Sequence, residues 1–100
     1  MPAALSVDRR SLSALCRRWK VRELFLFGSM ADGTARPGSD VDLMVTFLPR
    51  APWSLLDLAR MQLELQELLG RNVDLIESTC LRNPLRKKAI LESRKLLYER

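Results

Sequence analysis

The sequence has no histidine and only two cysteines, and these absences exclude much of the common chemistry of protein sites. Without histidine there is no Ser-His-Asp or Cys-His catalysis, and no histidine can act as a general base or a metal ligand. Cys16 and Cys80 share no metal-ligand spacing and no signal peptide is visible, so we expect two reduced structural thiols in a cytoplasmic protein. The acid–base and ligand chemistry that remains is that of carboxylates.

Long apolar runs are also missing, since no stretch reaches the eighteen or so residues of a membrane span, and we expect no membrane association. One hundred residues, 47% of them hydrophobic, predict a single domain over residues 1–100 with one compact core. The formal net charge of +5 favours acidic partners such as nucleotides, RNA or an acidic protein surface. Because the basic residues are spread as short pairs, we do not expect direct nucleic-acid binding.

The pattern of apolar residues predicts an α/β (α+β) fold in the order helix, strand, short helix or turn, strand, helix, strand, helix. Predicted helices cover residues 6–20, with Ser6 as N-cap and Asp8 in the first turn, and residues 53 or 54 to 69, with Gly70 as C-cap. The last helix begins near Pro84 and includes Leu96 and Leu97. Predicted strands cover residues 24–27, 41–48 and 72–77, with a short helix or turn at 29–35. Together these elements predict a short mixed β-sheet packed against helices.

Asp40 and Asp42 stand at the start of a strand-like apolar run, where two neighbouring charges are energetically unfavourable. Alternate residues of a strand face the same way, so the two side chains point together from positions about 6.6 Å apart. At an effective dielectric of about 20 their repulsion costs on the order of 2.5 kcal/mol, and a divalent cation reverses the sign of that term. Asp74 is a third carboxylate inside an apolar strand. Three aspartates holding two metal ions are a recurrent device for in-line phosphoryl transfer, and magnesium prefers such oxygen ligands.

Gly28 and Ser29 follow the first predicted strand and are suited to hold a phosphate. Glycine lets backbone N–H groups approach the phosphate, and the serine hydroxyl adds a hydrogen bond. Taken alone, Gly-Ser is ordinary turn chemistry, and Asp74 alone is equally well explained as a solubilising charge on an edge strand. The combination predicts a phosphate site beside a metal site.

Other metal and phosphate motifs fit less well. An EF-hand loop starting at Asp40 would need an oxygen ligand and a glycine where Met44 and Val45 stand. A Walker phosphate loop requires Gly-Lys-Ser/Thr, which the chain lacks. The Asp-x-Asp motif of nucleotide-sugar glycosyltransferases is a fairer rival, but the chain is too short to house a sugar-binding half.

Two groups of residues together resemble a known signature. Gly28-Ser29, a spacer containing Gly33, and Ser39-Asp40-Val41-Asp42-Leu43 resemble the motif of the DNA polymerase β-like nucleotidyltransferase superfamily. The short chain, Val73-Asp74-Leu75 and the closing Leu96-Leu97-Tyr98-Glu99 resemble the minimal nucleotidyltransferase (MNT) family in particular. The resemblance covers nearly the whole chain and implies the nucleotidyltransferase fold.

The resemblance implies a magnesium-dependent enzyme that transfers a nucleoside monophosphate, usually AMP from ATP, to an acceptor hydroxyl. Asp40 and Asp42 would bind two magnesium ions, and Asp74 would complete the catalytic and metal site near the attacking hydroxyl. Gly28 and Ser29 would hold the nucleotide phosphates.

Four neighbouring positions concern nucleotide binding. Ser39 is predicted as a nucleotide-site residue and as a turn residue that supports the aspartate pair. Many family members carry arginine where Met30 and Asp32 stand here, a change that would weaken triphosphate binding. Arg36 is therefore predicted as a compensating nucleotide contact.

Members of the MNT family commonly act as antitoxins beside a HEPN-domain toxin. The resemblance thus implies a HEPN partner whose tyrosine hydroxyl accepts the nucleotide. Two alternatives stay open: a non-catalytic antitoxin that neutralises its partner by covering it, and a stand-alone transferase acting on a small molecule or an RNA end. The sequence does not specify the nucleotide preference, the number of nucleotides transferred or whether the protein forms a homo-oligomer.

Overall fold

A mixed β-sheet organises the chain, which the computed structural model describes over residues 7–36 and 38–100. The elements in chain order are α1 (Arg9–Arg18), β1 (Val21–Phe27), α2 (Ser29–Asp32), β2 (Val41–Phe47), α3 (Leu55–Leu69), β3 (Val73–Glu77), α4 (Pro84–Ser93) and β4 (Lys95–Glu99), with a 3₁₀ turn at Ser78–Cys80. The strands lie in the order β3-β2-β1-β4. β1 pairs antiparallel with β2 and β4, whereas β2 and β3 are parallel. The predicted fold class, a short mixed sheet with helices, is confirmed.

The two faces of the sheet differ because side chains alternate along each strand. One face, here called the core face, packs against α1 and α3. Its strand residues are buried in one large cluster: Leu24, Leu26, Val41, Leu43, Val45, Val73, Leu75 and Leu97. The opposite face, here called the open face, carries a much smaller cluster in which Phe25, Phe27 and Met44 contact Ile90 of α4. The hydrophobic core therefore lies almost wholly on one side of the sheet.

Side-chain caps fix the ends of the two core helices. Ser54 caps α3 and exchanges hydrogen bonds with Asp57 in a capping box, while Gly70 ends the helix in the left-handed conformation, as predicted. The carboxylate of Asp8 accepts a hydrogen bond from the N–H of Arg10, so α1 begins at Arg9. The predicted N-cap Ser6 lies outside the described residues, and the prediction of Asp8 in the first turn is wrong because Asp8 is itself the N-cap. No helix in the part of the chain described is long and apolar enough to cross a lipid bilayer.

The prediction of a helix through Leu96 and Leu97 is wrong. α4 ends at Ser93, Arg94 is extended, and residues Lys95–Glu99 form β4 against β1. Leu97 is buried on the core face and Leu96 is half-exposed on the opposite side, which is the alternation of a strand. Pairing with β1 satisfies backbone groups that would otherwise form an open sheet edge, and this long-range gain overrides the local helical pattern.

Both cysteines are free thiols, in different surroundings. Cys16 is on the buried side of α1, and burial raises the pKa of its thiol to about 12, which keeps it protonated and unreactive. Cys80 is exposed, so the expectation that both thiols are structural holds for Cys16 alone.

Candidate active site

Two of the three aspartates lie side by side on neighbouring strands. Asp42 of β2 and Asp74 of β3 are register partners in the parallel pair. The residues that flank them fill the core face, so both carboxylates point to the open face. Adjacent strands are about 4.8 Å apart, which makes the two side chains direct neighbours. Asp74 is thus on the same side of the sheet as Asp42, as the metal-site hypothesis requires.

Asp40 approaches this pair from the segment just before β2, where it is exposed. Its charge acts on Asp42, as does that of Asp74. Nevertheless, within residues 7–36 and 38–100 no three acidic or thiol side chains are arranged closely enough to enclose a metal ion. The site is an open group of carboxylates, with Asp40 and Asp74 exposed and Asp42 half-buried. The assignment of these residues as metal ligands stays a prediction.

The pKa of Asp42 is shifted by its surroundings. Partial burial, and then the charges of Asp74 and Asp40, raise the pKa of its carboxyl, while Arg86 on α4 lowers it. None of these aspartates forms a salt bridge with another described residue. Carboxylate oxygens are the ligands that magnesium prefers, so the chemistry of the donor set fits a divalent cation.

Gly28 lies directly against the carboxylate of Asp42. Its φ of +71° with ψ of −154° belongs to a region that only glycine adopts readily. A Cβ at this position would stand 3.2 Å from Cγ of Asp42 and still closer to its Oδ2. The cross-strand pairing of Phe27 with Asp42 creates this close approach. Any side chain at position 28 would displace the acidic group, so this glycine is required by two independent constraints.

Ser29 begins the short helix α2 immediately after this glycine. Backbone N–H groups of Ala31 and Asp32 donate to the carbonyl of Gly28, and those of Thr34 and Ala35 donate to the carbonyl of Ser29. These bonds fold the chain back on itself and fix the predicted phosphate turn beside Asp42.

Ser39 and Arg36 form a closed turn ahead of the aspartates. The N–H of Arg36 donates to Oγ of Ser39 over 2.8 Å, and the N–H of Ser39 donates to the carbonyl of Arg36 over 2.9 Å. The serine hydroxyl therefore supports the approach to Asp40, as predicted for a turn residue. The guanidinium of Arg36 is exposed, and its predicted contact with a nucleotide stays a prediction.

The two positions where family members often carry arginine have structural roles here. Met30 is 2% exposed and packs into the core. The carboxylate of Asp32 accepts hydrogen bonds from the N–H and the hydroxyl of Thr34, which lower its pKa. Neither position supplies a cation to the phosphate turn.

Arg71 supports the site and was missed by sequence reasoning. Its guanidinium Nη2 donates to the carbonyl of Ser39 over 3.2 Å, and the N–H of Val41 donates to the carbonyl of Asn72 over 2.9 Å. These two bonds tie the α3–β3 loop to the segment that carries Asp40. An arginine in a loop gives no sequence signal for such a contact, because the partner is a backbone carbonyl distant in the chain.

Known proteins are similar to this chain in sequence and in fold. The family model described as nucleotidyltransferase domain matches residues 9–97. A protein of Methanocaldococcus jannaschii, provisionally named a protein adenylyltransferase, is 36% identical over 90 residues, which are 90% of this chain and 88% of the relative. The protein adenylyltransferase MntA of Thermococcus cleftensis is 38% identical over 78 residues, covering 78% of this chain and 77% of the relative.

Solved structures give the same result. A structure provisionally described as a minimal nucleotidyltransferase superposes with a TM-score of 0.71 at 37% identity, over 87% of this chain and 86% of that one. A chain from the complex of the tri-AMPylated HEPN toxin of Shewanella oneidensis with its MNT antitoxin superposes with a TM-score of 0.66. Its identity is 18%, over 92% of this chain and 70% of that one, so this second likeness concerns the fold alone.

The chain belongs to the nucleotidyltransferase domain family. Within it, the likeness to protein adenylyltransferases and to a minimal nucleotidyltransferase confirms the predicted MNT membership and an enzyme of the nucleotidyltransferase class.

Proposed function

We propose that this protein uses magnesium to transfer AMP from ATP to a tyrosine hydroxyl of a HEPN-domain toxin, and that it thereby acts as an antitoxin. The observation that carries the proposal is the pairing of Asp42 with Asp74 on the open face, directly against the Gly28-Ser29 turn. The adenylyltransferase names of the relatives support AMP as the transferred group. The complex of an AMPylated HEPN toxin with an MNT antitoxin supports the kind of acceptor.

Each residue has a defined task in this proposal. Gly28 and Ser29 hold the phosphates with backbone N–H groups and a hydroxyl. Asp40 and Asp42 would hold the magnesium ions, and Asp74 would complete the ligand set and orient the acceptor. When bound, magnesium would offset negative charge on the phosphates and lower the pKa of the acceptor hydroxyl.

The reaction is an in-line displacement at the α-phosphorus of ATP. The acceptor oxygen forms a bond to that phosphorus while the bond to the bridging oxygen of pyrophosphate breaks. Pyrophosphate leaves with the bonding electron pair, and the hydroxyl proton passes to Asp74 or to solvent. The exposed position of Asp74 lets it reach an acceptor that arrives from outside.

The open face leaves the carboxylates accessible to a second molecule. The described part of the chain forms one small sheet with its core on one side, and the open face is covered only around Ile90 of α4. Asp40 and Asp74 are both exposed there. A surface of this shape can receive a protruding side chain of a partner protein, which suits a tyrosine.

The test is incubation with ATP labelled at the α-phosphate, magnesium and a HEPN toxin encoded beside this protein. We expect labelled toxin with the parent protein and with Glu23→Gln, a matched removal of charge near the far end of β1. We expect at least about 100-fold less label with Asp42→Asn, because a metal ligand is lost. Intact ATP and unlabelled toxin with the parent would contradict the proposal.

A second candidate is an antitoxin that neutralises the toxin by covering it. The burial of Met30 and the local hydrogen bonds of Asp32 favour it, because they leave the phosphate turn without the two cations that relatives often place there. Asp42→Asn separates the candidates. If this variant restores growth of toxin-expressing cells as well as the parent does, neutralisation does not require the transfer.

A stand-alone transferase would give a third result in the same assay. Labelled small molecule or RNA would then appear in reactions without any protein partner.

A further inference from the structure

Helix α4 crosses the open face and is attached to it mainly through Ile90. This side chain is 4% exposed and clusters with Phe25, Phe27 and Met44. At the end of the helix, the guanidinium carbon of Arg94 lies 4.1 Å from the ring centre of Phe25, a cation–π contact. The two contacts hold α4 over β1.

The residues that contact Ile90 lie beside the carboxylates. On β1, Phe25 pairs with Met44 and Phe27 pairs with Asp42, so the step from Phe25 to Phe27 leads to the acidic group. Met44 follows Asp42 by two residues on β2, so its side chain lies on the same face of the sheet as this carboxylate.

Arg86 lies one turn of α4 before Ile90. It precedes Ile90 by four residues, which places the two side chains about 6 Å apart on the same side of the helix. Because Ile90 clusters with Phe27 and Met44, the neighbours of Asp42 on the open face, the long side chain of Arg86 has the acidic group within its reach. The attraction between Arg86 and Asp42, which opposes the rise in the pKa of the carboxyl, agrees with this position.

We propose that Arg86 binds the β- and γ-phosphates of the nucleotide held at the Gly28-Ser29 turn, and that it selects triphosphates over monophosphates. This inference rests on the proposed function, since it assigns a residue to the leaving pyrophosphate of that reaction. Its chemistry is that of a planar guanidinium with paired donors, which matches two phosphate oxygens at once.

Three features favour phosphate over the neighbouring carboxylates as the partner of Arg86. The side chain is exposed and forms no salt bridge within residues 7–36 and 38–100, so its donors are available. The carboxylates would be engaged by magnesium when the nucleotide is bound. Finally, Met30 and Asp32 supply no cation, so a guanidinium from α4 would provide the positive charge that a triphosphate requires.

Lys88 provides a matched control on the same helix. It is exposed and carries the same charge, but two residues before Ile90 its side chain points about 160° away from the side that contacts the sheet. Its charge therefore contributes to the general field of the protein and not to a contact at the site.

The experiment is isothermal titration of the protein with a non-hydrolysable ATP analogue and, separately, with AMP, both in the presence of magnesium. For Arg86→Ala we expect a 10- to 100-fold weaker Kd for the analogue, with AMP affected less than about threefold. Arg86→Lys should give an intermediate Kd, because lysine keeps the charge but lacks the paired N–H donors of the guanidinium. Lys88→Ala should bind both ligands as the parent does.

Several outcomes would overturn the inference while leaving the proposed function intact. These are an unchanged Kd for the analogue in Arg86→Ala, an equal loss for the analogue and AMP, or the same loss in Lys88→Ala. If Arg86→Ala does not fold, as judged by its circular dichroism, the comparison of Arg86→Lys with the parent decides instead. A parent protein that binds no analogue would contradict the proposed function, and the inference with it.

Discussion

The two faces of the sheet are built from the same strands and have opposite properties. The core face joins buried residues from α1, α3 and all of the strands into one cluster, whereas the cluster of the open face has only four buried residues, one of which is Ile90. Along β2, Val41 and Leu43 are fully buried, while Asp42 between them is half-exposed among other carboxylates. Stability is thus concentrated on one face, which leaves the other free to carry charges that destabilise the fold.

This division lets a small protein carry the carboxylates without losing its fold. A group of unpaired carboxylates would be hard to accommodate in a core, where desolvation of each charge costs several kcal/mol. On the open face the charges stay partly hydrated, and the strands that carry them are held from behind. The comparison predicts that equal changes on the two faces have unequal effects.

The largest effect is expected from removing a leucine on the core face. Leu26 is fully buried, so Leu26→Ala should lower the free energy of unfolding by about 2–5 kcal/mol through lost burial and a cavity. The matched change on the other side, Leu96→Ala, removes a side chain that is 47% exposed and should cost less than about 1 kcal/mol.

Urea denaturation followed by circular dichroism measures both values. Similar losses for Leu26→Ala and Leu96→Ala would mean that the open face contributes to stability as the core face does, and would contradict the division. A loss at Leu96 as large as that expected at Leu26 would also show that the open face is covered in solution, for instance by a second copy of the chain.

A smaller but more specific effect is expected at the junction of the phosphate turn and the carboxylates. Gly28→Ala places a Cβ against Asp42 and forces a rarely allowed backbone conformation, so it should cost about 2–4 kcal/mol. Gly33→Ala is the control, since its φ is also positive, at +83°, but a Cβ there meets nothing within 4 Å. That variant should cost about 1 kcal/mol.

Thermal unfolding of the two glycine variants gives the difference, and a second substitution identifies its source. If the close approach causes the excess, Asp42→Ala should remove part of the penalty of Gly28→Ala in a double-mutant cycle. Additive effects would locate the whole cost in the backbone conformation of Gly28.

The sequence predicted most of the fold because strong local signals agreed with the tertiary structure. Ser54 and Gly70 mark the ends of α3 correctly, and the alternation around Asp42 and Asp74 predicts that both face away from the core. β4 was missed because its stability comes from pairing with β1, a long-range interaction that a helical pattern at Leu96 conceals.

For the site, spacing along the chain predicted which residue types meet, but not how they are supported. The contact of Gly28 with Asp42 depends on cross-strand register, and the bond from Arg71 to Ser39 depends on how two loops meet. The position of Arg86 depends on how α4 lies on the sheet, where Ile90 and Arg94 hold it. None of these follows from periodicity or composition.

The smallest expected effect is a gain in stability when one charge of the open face is removed. The pKa of Asp42 is raised in the folded protein, so folding favours its protonated form and the fold loses stability as the pH rises through the folded pKa. At neutral pH without metal, Asp42→Asn should therefore unfold a few degrees higher, a gain of less than about 1 kcal/mol because solvent screens the charges. Below the pH at which the unfolded aspartate is protonated, the advantage should vanish.

Asp57→Asn is a control for which we expect the opposite change in melting temperature. Hydrogen bonds from the backbone and side chain of Ser54 lower the pKa of Asp57, so its ionised form stabilises the capping box and its neutralisation should lower the melting temperature at neutral pH.

Magnesium with an ATP analogue should raise the melting temperature of the parent and have less effect on Asp42→Asn, because binding stabilises only the protein that retains its ligands. If Asp42→Asn melts at the parent's temperature without metal, the carboxylates do not repel one another appreciably. The open face would then carry its charges at no cost, and the contrast between the two faces would be one of packing alone.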